Sequence, residues 1–251
     1  MSNKKICVFT QTYSNNRSEL FTYHELDKLD IDFRNNFDYN LYSFHNSDEN
    51  YINEINNFNY FKKINNIEII SYKNISYTET FRQTLEKILN LGFDYLIFLQ
   101  DDCLTTDKDI EIEELLKFIN NEDFNMLNLE TNVSSLNLKE EEEVYYKSNE
   151  FIVYNTNSNH FKERGWWAFD DGPYIANIKF LLDEIYDETY FNIGDIWTAE
   201  NYINNKISKT KIQRLTTNIS LYNRFNLVGR NIQDREISIE RLEKNLKECQ
   251  T

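Results

Sequence analysis

The eight residues Tyr95-Leu96-Ile97-Phe98-Leu99-Gln100-Asp101-Asp102 decide the fold. Five consecutive apolar side chains leave no polar face. The run therefore predicts a strand covered by helices above and below, as in a parallel sheet, rather than one with a side in water. Upstream, Ser76-Tyr77-Thr78-Glu79 is a capping box, and Tyr77, Phe81, Leu85, Ile88 and Leu89 form one helical stripe. Gly92 closes that helix, because glycine tolerates the left-handed backbone at a helix end. A capped helix feeding a doubly buried strand is one unit of an alternating β/α chain.

The same alternation runs outward in both directions. Ile6 to Thr12 reads as the first strand and Ser18 to Lys28 as a helix. Asn40 to Phe44 and Ile67 to Tyr72 read as strands, with a helix near Tyr51 to Phe61 between them. Beyond the acidic turn, Thr106 and Asp109 start a helix that turns Ile112, Leu115, Leu116 and Ile119 to the core, and Met126 to Glu130 is a strand. Thr131 to Gly165 is polar, with four glutamates from Glu140 to Glu143 and a hairpin expected around Phe151 to Tyr154. Pro173 suits the first turn of a helix carrying Ile175, Ile178, Leu181, Leu182 and Ile185. A helix from Asp195 to Lys206, a strand from Lys211 to Leu215 and an amphipathic helix from Asp234 to Glu248 complete the chain. The expectation is an α/β fold in a single domain, with a central, mostly parallel, twisted sheet flanked by helices.

Composition narrows the function. With 251 residues, 40% of them hydrophobic, the chain can bury a full core, and five glycines and one proline are too few for a many-turned β-sandwich. Forty-two acidic against 27 basic residues give a formal charge of −15, which repels nucleic acid and anionic lipid. A phosphate-bearing ligand must then be held locally, and a cation bridging it to carboxylates is one way. Cys7, Cys103 and Cys249 are odd in number and far apart, so neither a disulfide framework nor a zinc cluster is indicated. With no leader-like segment and no membrane-length apolar stretch, a cytoplasmic location is expected.

Asp101 and Asp102 stand at the carboxyl end of the strand expected to be central, where ligands bind in open α/β sheets. Two adjacent carboxylates repel unless a positive group lies between or beside them, and a hard divalent ion such as Mn2+ or Mg2+ meets that need. The plainer alternative is that they cap the following helix or face solvent.

The stretch from Tyr77 to Asp102, with Gly92-Phe93-Asp94-Tyr95 at its middle, resembles the region that leads to the DxD motif of GT-A glycosyltransferases. These enzymes move a sugar from a nucleotide-diphosphate donor to an acceptor hydroxyl. The resemblance implies a donor half over 1–102, an acceptor half over 103–232 and a terminal helix over 233–251. It implies that Asp102, with Asp101, binds the metal. Donor contacts would come from Thr10, Gln11, Thr12 and Tyr13 on the opening strand, from Arg82, from Gln100 and Asp101, and from Arg224 closing over the diphosphate. Gln100 replaces the first acid of many members, and the C-terminal histidine of the metal shell is missing.

Gly194-Asp195-Ile196-Trp197-Thr198-Ala199-Glu200 looks like the family's acceptor-side acidic motif, which makes Asp195 the first candidate for the base and Glu200 the second. Asp195 reads equally as an N-cap, and Glu200 as an ion-pair partner of Arg214 or Arg224. Trp166 and Trp167 could stack on sugar faces, with Asp170 and Asp171 binding hydroxyls, or a tryptophan could belong to the core. The implied partners are a UDP- or GDP-linked sugar and a glycan or glycoconjugate acceptor, with the terminal helix a candidate surface for pairing two copies. A nucleotidyltransferase and a non-catalytic carbohydrate-binding protein are the competing readings. The first would normally carry a Gly-rich basic loop after the opening strand, and Gln11 to Arg17 holds no glycine.

Overall fold

The computed structural model describes residues 3–12, 21–22, 24–25, 27–45, 48–105, 112–129, 144–149, 152–156, 173–209, 214–217 and 222–224. The strands are β1 (Ile6–Thr12), β2 (Tyr39–His45), β3 (Ile67–Tyr72), β4 (Tyr95–Gln100), β5 (Cys103–Thr105), β6 (Met126–Asn128), β7 (Val144–Lys147), β8 (Ile152–Thr156), β9 (Tyr174–Asn177), β10 (Arg214–Thr217) and β11 (Tyr222–Arg224). Nine of them form one sheet in the order β3-β2-β1-β4-β9-β6-β10-β8-β7, and β5 pairs with β11 apart from it. Only β8 and β9 run against the rest of the large sheet.

The helices are α1 (Lys28–Arg34), α2 (Glu49–Ile55), α3 (Asn59–Lys63), α4 (Tyr77–Asn90), α5 (Ile112–Asn121), α6 (Ile178–Phe180, continued by a π-helical turn over Leu181–Ile185), α7 (Glu188–Phe191) and α8 (Ile196–Lys209). Side chains alternate across the sheet with period two, so the two faces carry different clusters. Cys7, Phe9, Leu96 and Phe98 meet Phe81, Leu85 and Ile88 of α4 and Ile178, Leu181 and Ile185 of α6. Ile6, Val8, Tyr95, Ile97 and Leu99 meet Phe33 near the end of α1 and Leu115, Phe118 and Ile119 of α5. As the doubly apolar run of β4 requires, helices cover both faces.

Helix α4 forms largely as its sequence dictates. Ser76 Oγ accepts from Glu79 N (3.1 Å), and Gly92 takes φ of +82° at the far end. Phe81, Leu85 and Ile88 are buried, but Leu89 is exposed and Tyr77 only partly covered. Threonines take the remaining inner positions: Thr78, Thr80 and Thr84 are buried, and Thr84 Oγ1 donates back to Thr80 O (2.8 Å). A hydroxyl that bonds its own helix can face the sheet at little cost.

Three sequence expectations need correction. Residues 174–177 are strand β9 and not the start of a helix; they are wedged between β4 and β6, with Tyr174 and Ala176 facing one cluster and Ile175 the other. The helix starts only at Ile178, where Asn177 Oδ1 accepts from Phe180 N (2.9 Å). A four-residue strand running into a helix shares too many apolar positions with a helical stripe to be separated by period. The helix expected over Tyr51 to Phe61 breaks into α2 and α3 around Asn56 and Phe58. The helix expected to stop at Lys28 is instead followed by a fresh one that begins there, with Asp27 Oδ1 accepting from Asp30 N (3.0 Å). The hairpin expected around Phe151 to Tyr154 is present as β7 and β8. The helix starting at Thr106 and the one over 234–248 lie wholly or at their start outside the described residues. Among the described residues no helix is long and apolar enough to cross a membrane.

Phe81 touches Phe9, Phe98 and Tyr186 at ring-centroid distances of 5.6, 5.4 and 4.9 Å. Phe81→Ala should lower unfolding free energy by about 3–5 kcal/mol, and loss of the cap in Ser76→Ala by about 1 kcal/mol. Urea denaturation midpoints at neutral pH check both values and their order.

Candidate functional site at the β1–β4 switch point

From β1 the chain turns outward through α1 to β2 and then β3, and only afterwards returns through α4 to place β4 on the other side of β1. α1 lies on one face and α4 on the other. Such a reversal opens a crevice beyond the carboxyl ends of the two strands. Gln11 lies opposite Gln100 in the register, so the Asp101-Asp102 turn begins one residue past the last β1–β4 pair.

Every side chain at this end of β1 is polar and buried: Thr10, Gln11 and Thr12 are each 3% exposed or less. Gln11 Nε2 reaches Tyr77 O at the head of α4 (3.4 Å), while Gln11 Oε1 and Thr12 Oγ1 have no hydrogen-bond partner among the described residues. Buried polar atoms left open are costly, and a ligand that supplies donors removes the cost. Asp101 is 2% exposed and Asp102 partly exposed. Past them, Cys103 pairs opposite Arg224 in the β5–β11 ladder, so the backbone of Arg224 runs one residue from the acids.

A buried polar network lies beneath the turn. Arg34 Nε donates to Asp30 Oδ2 (2.8 Å) and Nη2 to Thr10 Oγ1 (3.1 Å), and Tyr60 OH donates to Asp30 Oδ2 (2.6 Å) with Tyr42 OH 2.6 Å beyond. His24 Nε2 donates to the Asp101 carbonyl oxygen (2.7 Å), and His24 Nδ1 stands 3.9 Å from Asp30 Oδ2. Burial pushes the Asp30 carboxyl up, but Arg34, His24 and the Tyr60 hydroxyl together outweigh it and hold the group below the usual aspartate value. Burial drives the Tyr42 hydroxyl up to about 12, so it stays protonated.

Asp195 reaches the same edge. Thr78, in the first turn of α4, donates to the carbonyls of Phe191 (3.0 Å) and Ile193 (2.7 Å), two residues before Asp195. Asp195 is exposed and caps α8: Oδ2 accepts from Thr198 N (2.8 Å) and Thr198 Oγ1 (2.6 Å). Glu200 is half-buried, beside the buried Ala199. Arg82 gives two bonds to Glu79 (2.8 and 2.7 Å) and one to Glu86 (3.1 Å), all to carboxylates along its own helix. Tyr13, Trp166, Trp167, Asp170 and Asp171 lie outside the described residues, as does the side chain of Arg224.

The sequence reading missed His24, Asp30 and Arg34. It also missed Asn128, buried at the carboxyl end of β6 opposite Tyr174; the Asn128 Oδ1 has no partner among the described residues. Asp30 and Arg34 are four apart on a helix and look like a solvated surface pair. The signal that was present is the polar triplet closing an otherwise apolar β1.

No protein-family model matches the chain, and no curated protein sequence matches it. Solved structures do. The chain superposes on S. aureus TarS with a TM-score of 0.53 at 11% identity, covering 95% of this chain and 39% of TarS. It therefore spans well under half the length of that protein. TarS residues 1–349 in complex with UDP match at a TM-score of 0.51 and 12% identity over 87% of this chain and 59% of the other. The 4-diphosphocytidyl-2C-methyl-D-erythritol synthase of Anaerococcus prevotii DSM 20548 matches at 0.51 and 11% identity over 96% and 97% of the two chains. The fold is thus GT-A-like, a mostly parallel sheet with helices on both faces, as the resemblance implied.

Arg34→Ala would leave the Asp30 carboxylate buried beside fewer partners and should cost about 3–5 kcal/mol. Because the folded Asp30 titrates below the ~3.9 of an unfolded aspartate, its contribution is complete above that value and drains as pH falls through the lower folded value. Urea denaturation of both proteins from neutral to acid pH should show this acid-side loss in the parent and a smaller one in the variant.

Proposed function

We propose that the chain is a metal-dependent glycosyltransferase that takes its sugar from a nucleotide diphosphate and passes it to a hydroxyl of a glycan or glycoconjugate. One observation carries the reading: two adjacent carboxylates follow β4 at the switch point, beside buried β1 polar atoms that lack partners.

The acids suit Mn2+ or Mg2+. Their oxygens are hard donors, and no group of three or more His, Cys, Asp or Glu among the described residues could hold an ion alone. Such a site needs diphosphate oxygens and water to complete its shell, a pattern Mg2+ favours. Asp102 and Asp101 would hold the ion, which when bound supplies Lewis-acid stabilisation of the charge on the departing diphosphate.

The residues of the chain do the remainder. Thr10, Gln11 and Thr12 line the nucleotide end, with Gln11 Oε1 and Thr12 Oγ1 ready to accept donors from the ligand. Arg224, whose backbone pairs opposite Cys103, would meet phosphate oxygens with its forked donors. Asp195 takes the proton of the acceptor hydroxyl as that oxygen bonds to the sugar and the sugar–diphosphate bond breaks, with Glu200 the second candidate. Trp166, Trp167, Asp170 and Asp171 are the proposed acceptor contacts, and cytoplasm the proposed location.

Asp102→Asn should retain the fold by circular dichroism, abolish the Mn2+-dependent thermal shift with UDP or GDP, and slow nucleotide-sugar turnover by about 10²–10³-fold. An unchanged shift would end the metal reading. Asp195→Asn separates two roles, because asparagine caps helices as well as aspartate but is no base. Stability should hold within a few tenths of a kcal/mol while kcat falls about 10²–10⁴-fold; an unchanged kcat would leave Asp195 as a cap only.

The near-complete mutual coverage with the A. prevotii synthase favours a second reading, nucleotidyl transfer. The absence of glycine between Gln11 and Arg17 opposes it. Pyrophosphate release from a nucleoside triphosphate and a sugar phosphate would support this alternative, and nucleoside diphosphate release from a nucleotide sugar the first.

A further inference from the structure

We infer that His24 is a positioning residue, which sets the height and direction of the Asp101-Asp102 turn by holding the Asp101 carbonyl from beneath. The inference rests on the proposed function for its consequence, though not for its geometry. His24 is 1% exposed, and its Nε2–H···O bond of 2.7 Å is made 77 residues away in sequence. A carbonyl oxygen can only accept, so Nε2 carries the hydrogen.

The ring is itself fixed. It packs at 5.1 Å from the Tyr60 ring and 6.1 Å from Phe21, and its Nδ1 faces Asp30, which Arg34 and Tyr60 hold. Arg34 also grips Thr10 on β1. One buried assembly thus touches both strands that flank the crevice, the opening strand through Thr10 and the acidic turn through Asp101.

The energetics point to placement more than to stability. A fully buried Asp–Arg pair gains little over apolar side chains of the same shape, because desolvating both charges offsets their attraction. What it does supply is fixed direction: Arg34 Nε and the Tyr60 hydroxyl converge on Asp30 Oδ2, and Arg34 Nη2 on Thr10 Oγ1. Carboxylates that must meet an ion with near-octahedral demands gain from a turn that cannot drift.

The test uses the whole chain and two variants. His24→Phe keeps ring packing and removes the donor; His24→Gln offers an amide N–H in place of Nε2–H. Amide hydrogen exchange of the ligand-free protein is followed over residues 98–105, with α4 as the internal control. Exchange over 98–105 should rise about tenfold in His24→Phe and return most of the way in His24→Gln, with α4 unchanged. The Mn2+ concentration needed for the half-maximal UDP-dependent thermal shift should rise five- to tenfold in His24→Phe and recover in His24→Gln. Parent-like exchange in His24→Phe overturns the inference, as does faster exchange with Mn2+ dependence unaltered. Should the Phe variant not fold, His24→Asn, too short to reach the carbonyl, is read against the same two outcomes. A parent that shows no Mn2+-dependent shift with any nucleotide tells against the proposed function, while the exchange result still decides the anchor.

Discussion

The parallel pairing of β1 with β4, in register from Ile6 and Tyr95 to Gln11 and Gln100, is the constraint on which the molecule is built. Both strands are buried on both faces, so every backbone group must be bonded within the sheet and every side chain met by a helix. Parallel neighbours cannot be joined by a tight turn. The chain must leave by one face, add β2 and β3, and return by the other. The crevice between β1 and β4 follows from that path before any residue at its mouth is considered, and the polar ends of the two strands then fill it.

Electrostatics works at two scales here. The whole chain carries −15, yet the crevice gathers carboxylates where a general field would disperse them. Local groups make this tolerable. Beneath the turn, Arg34 is fully buried with Asp30; burial pushes the carboxyl up, and Arg34, His24 and the Tyr60 hydroxyl together more than offset it. Farther out, Asp187 receives Lys206, Tyr202 and the Tyr190 amide; although burial works the other way, these hold its carboxyl at about 2. The Asp187 clamp joins α7 to α8 and so steadies the segment that ends at Asp195.

Much of the framework over residues 1–102 was legible because its signals are local. The β1 and β3 bounds, the Ser76 cap and the doubly apolar β4 each rest on a few adjacent residues whose period or chemistry admits one reading. Asp101 and Asp102 were legible for the same reason. What escaped depends on residues far apart in the chain. β9 has four residues and takes its identity from β4 and β6, which lie about 80 and 50 positions earlier. Asp30 and Arg34 have the spacing of a surface pair, and only the packing of Tyr42, Tyr60 and Phe21 around them removes the water. His24 escaped because its partner is a backbone carbonyl, which no side-chain motif encodes.

The antiparallel course of β9 also explains how Asp195 comes to the carboxyl edge of β1 and β4. Because β9 runs against β4, it enters at the carboxyl edge, with Tyr174 opposite Phe98, and leaves at the other, with Asn177 opposite Tyr95. Ile178 N bonds Asp94 O at that lower edge, and α6 then climbs past Phe81, which meets Tyr186 midway along α4. By Phe191 and Ile193 the chain is back at the head of α4, where Thr78 holds both carbonyls. Asp195 therefore arrives at the edge where Gln11 reaches Tyr77, although 184 positions separate it from Gln11. Had residues 174–177 continued as a parallel strand, they would have finished at the carboxyl edge and the following helix would have carried Asp195 away from it. A short reversal in the middle of the sheet thus returns Asp195 to the edge at which the Asp101-Asp102 turn stands.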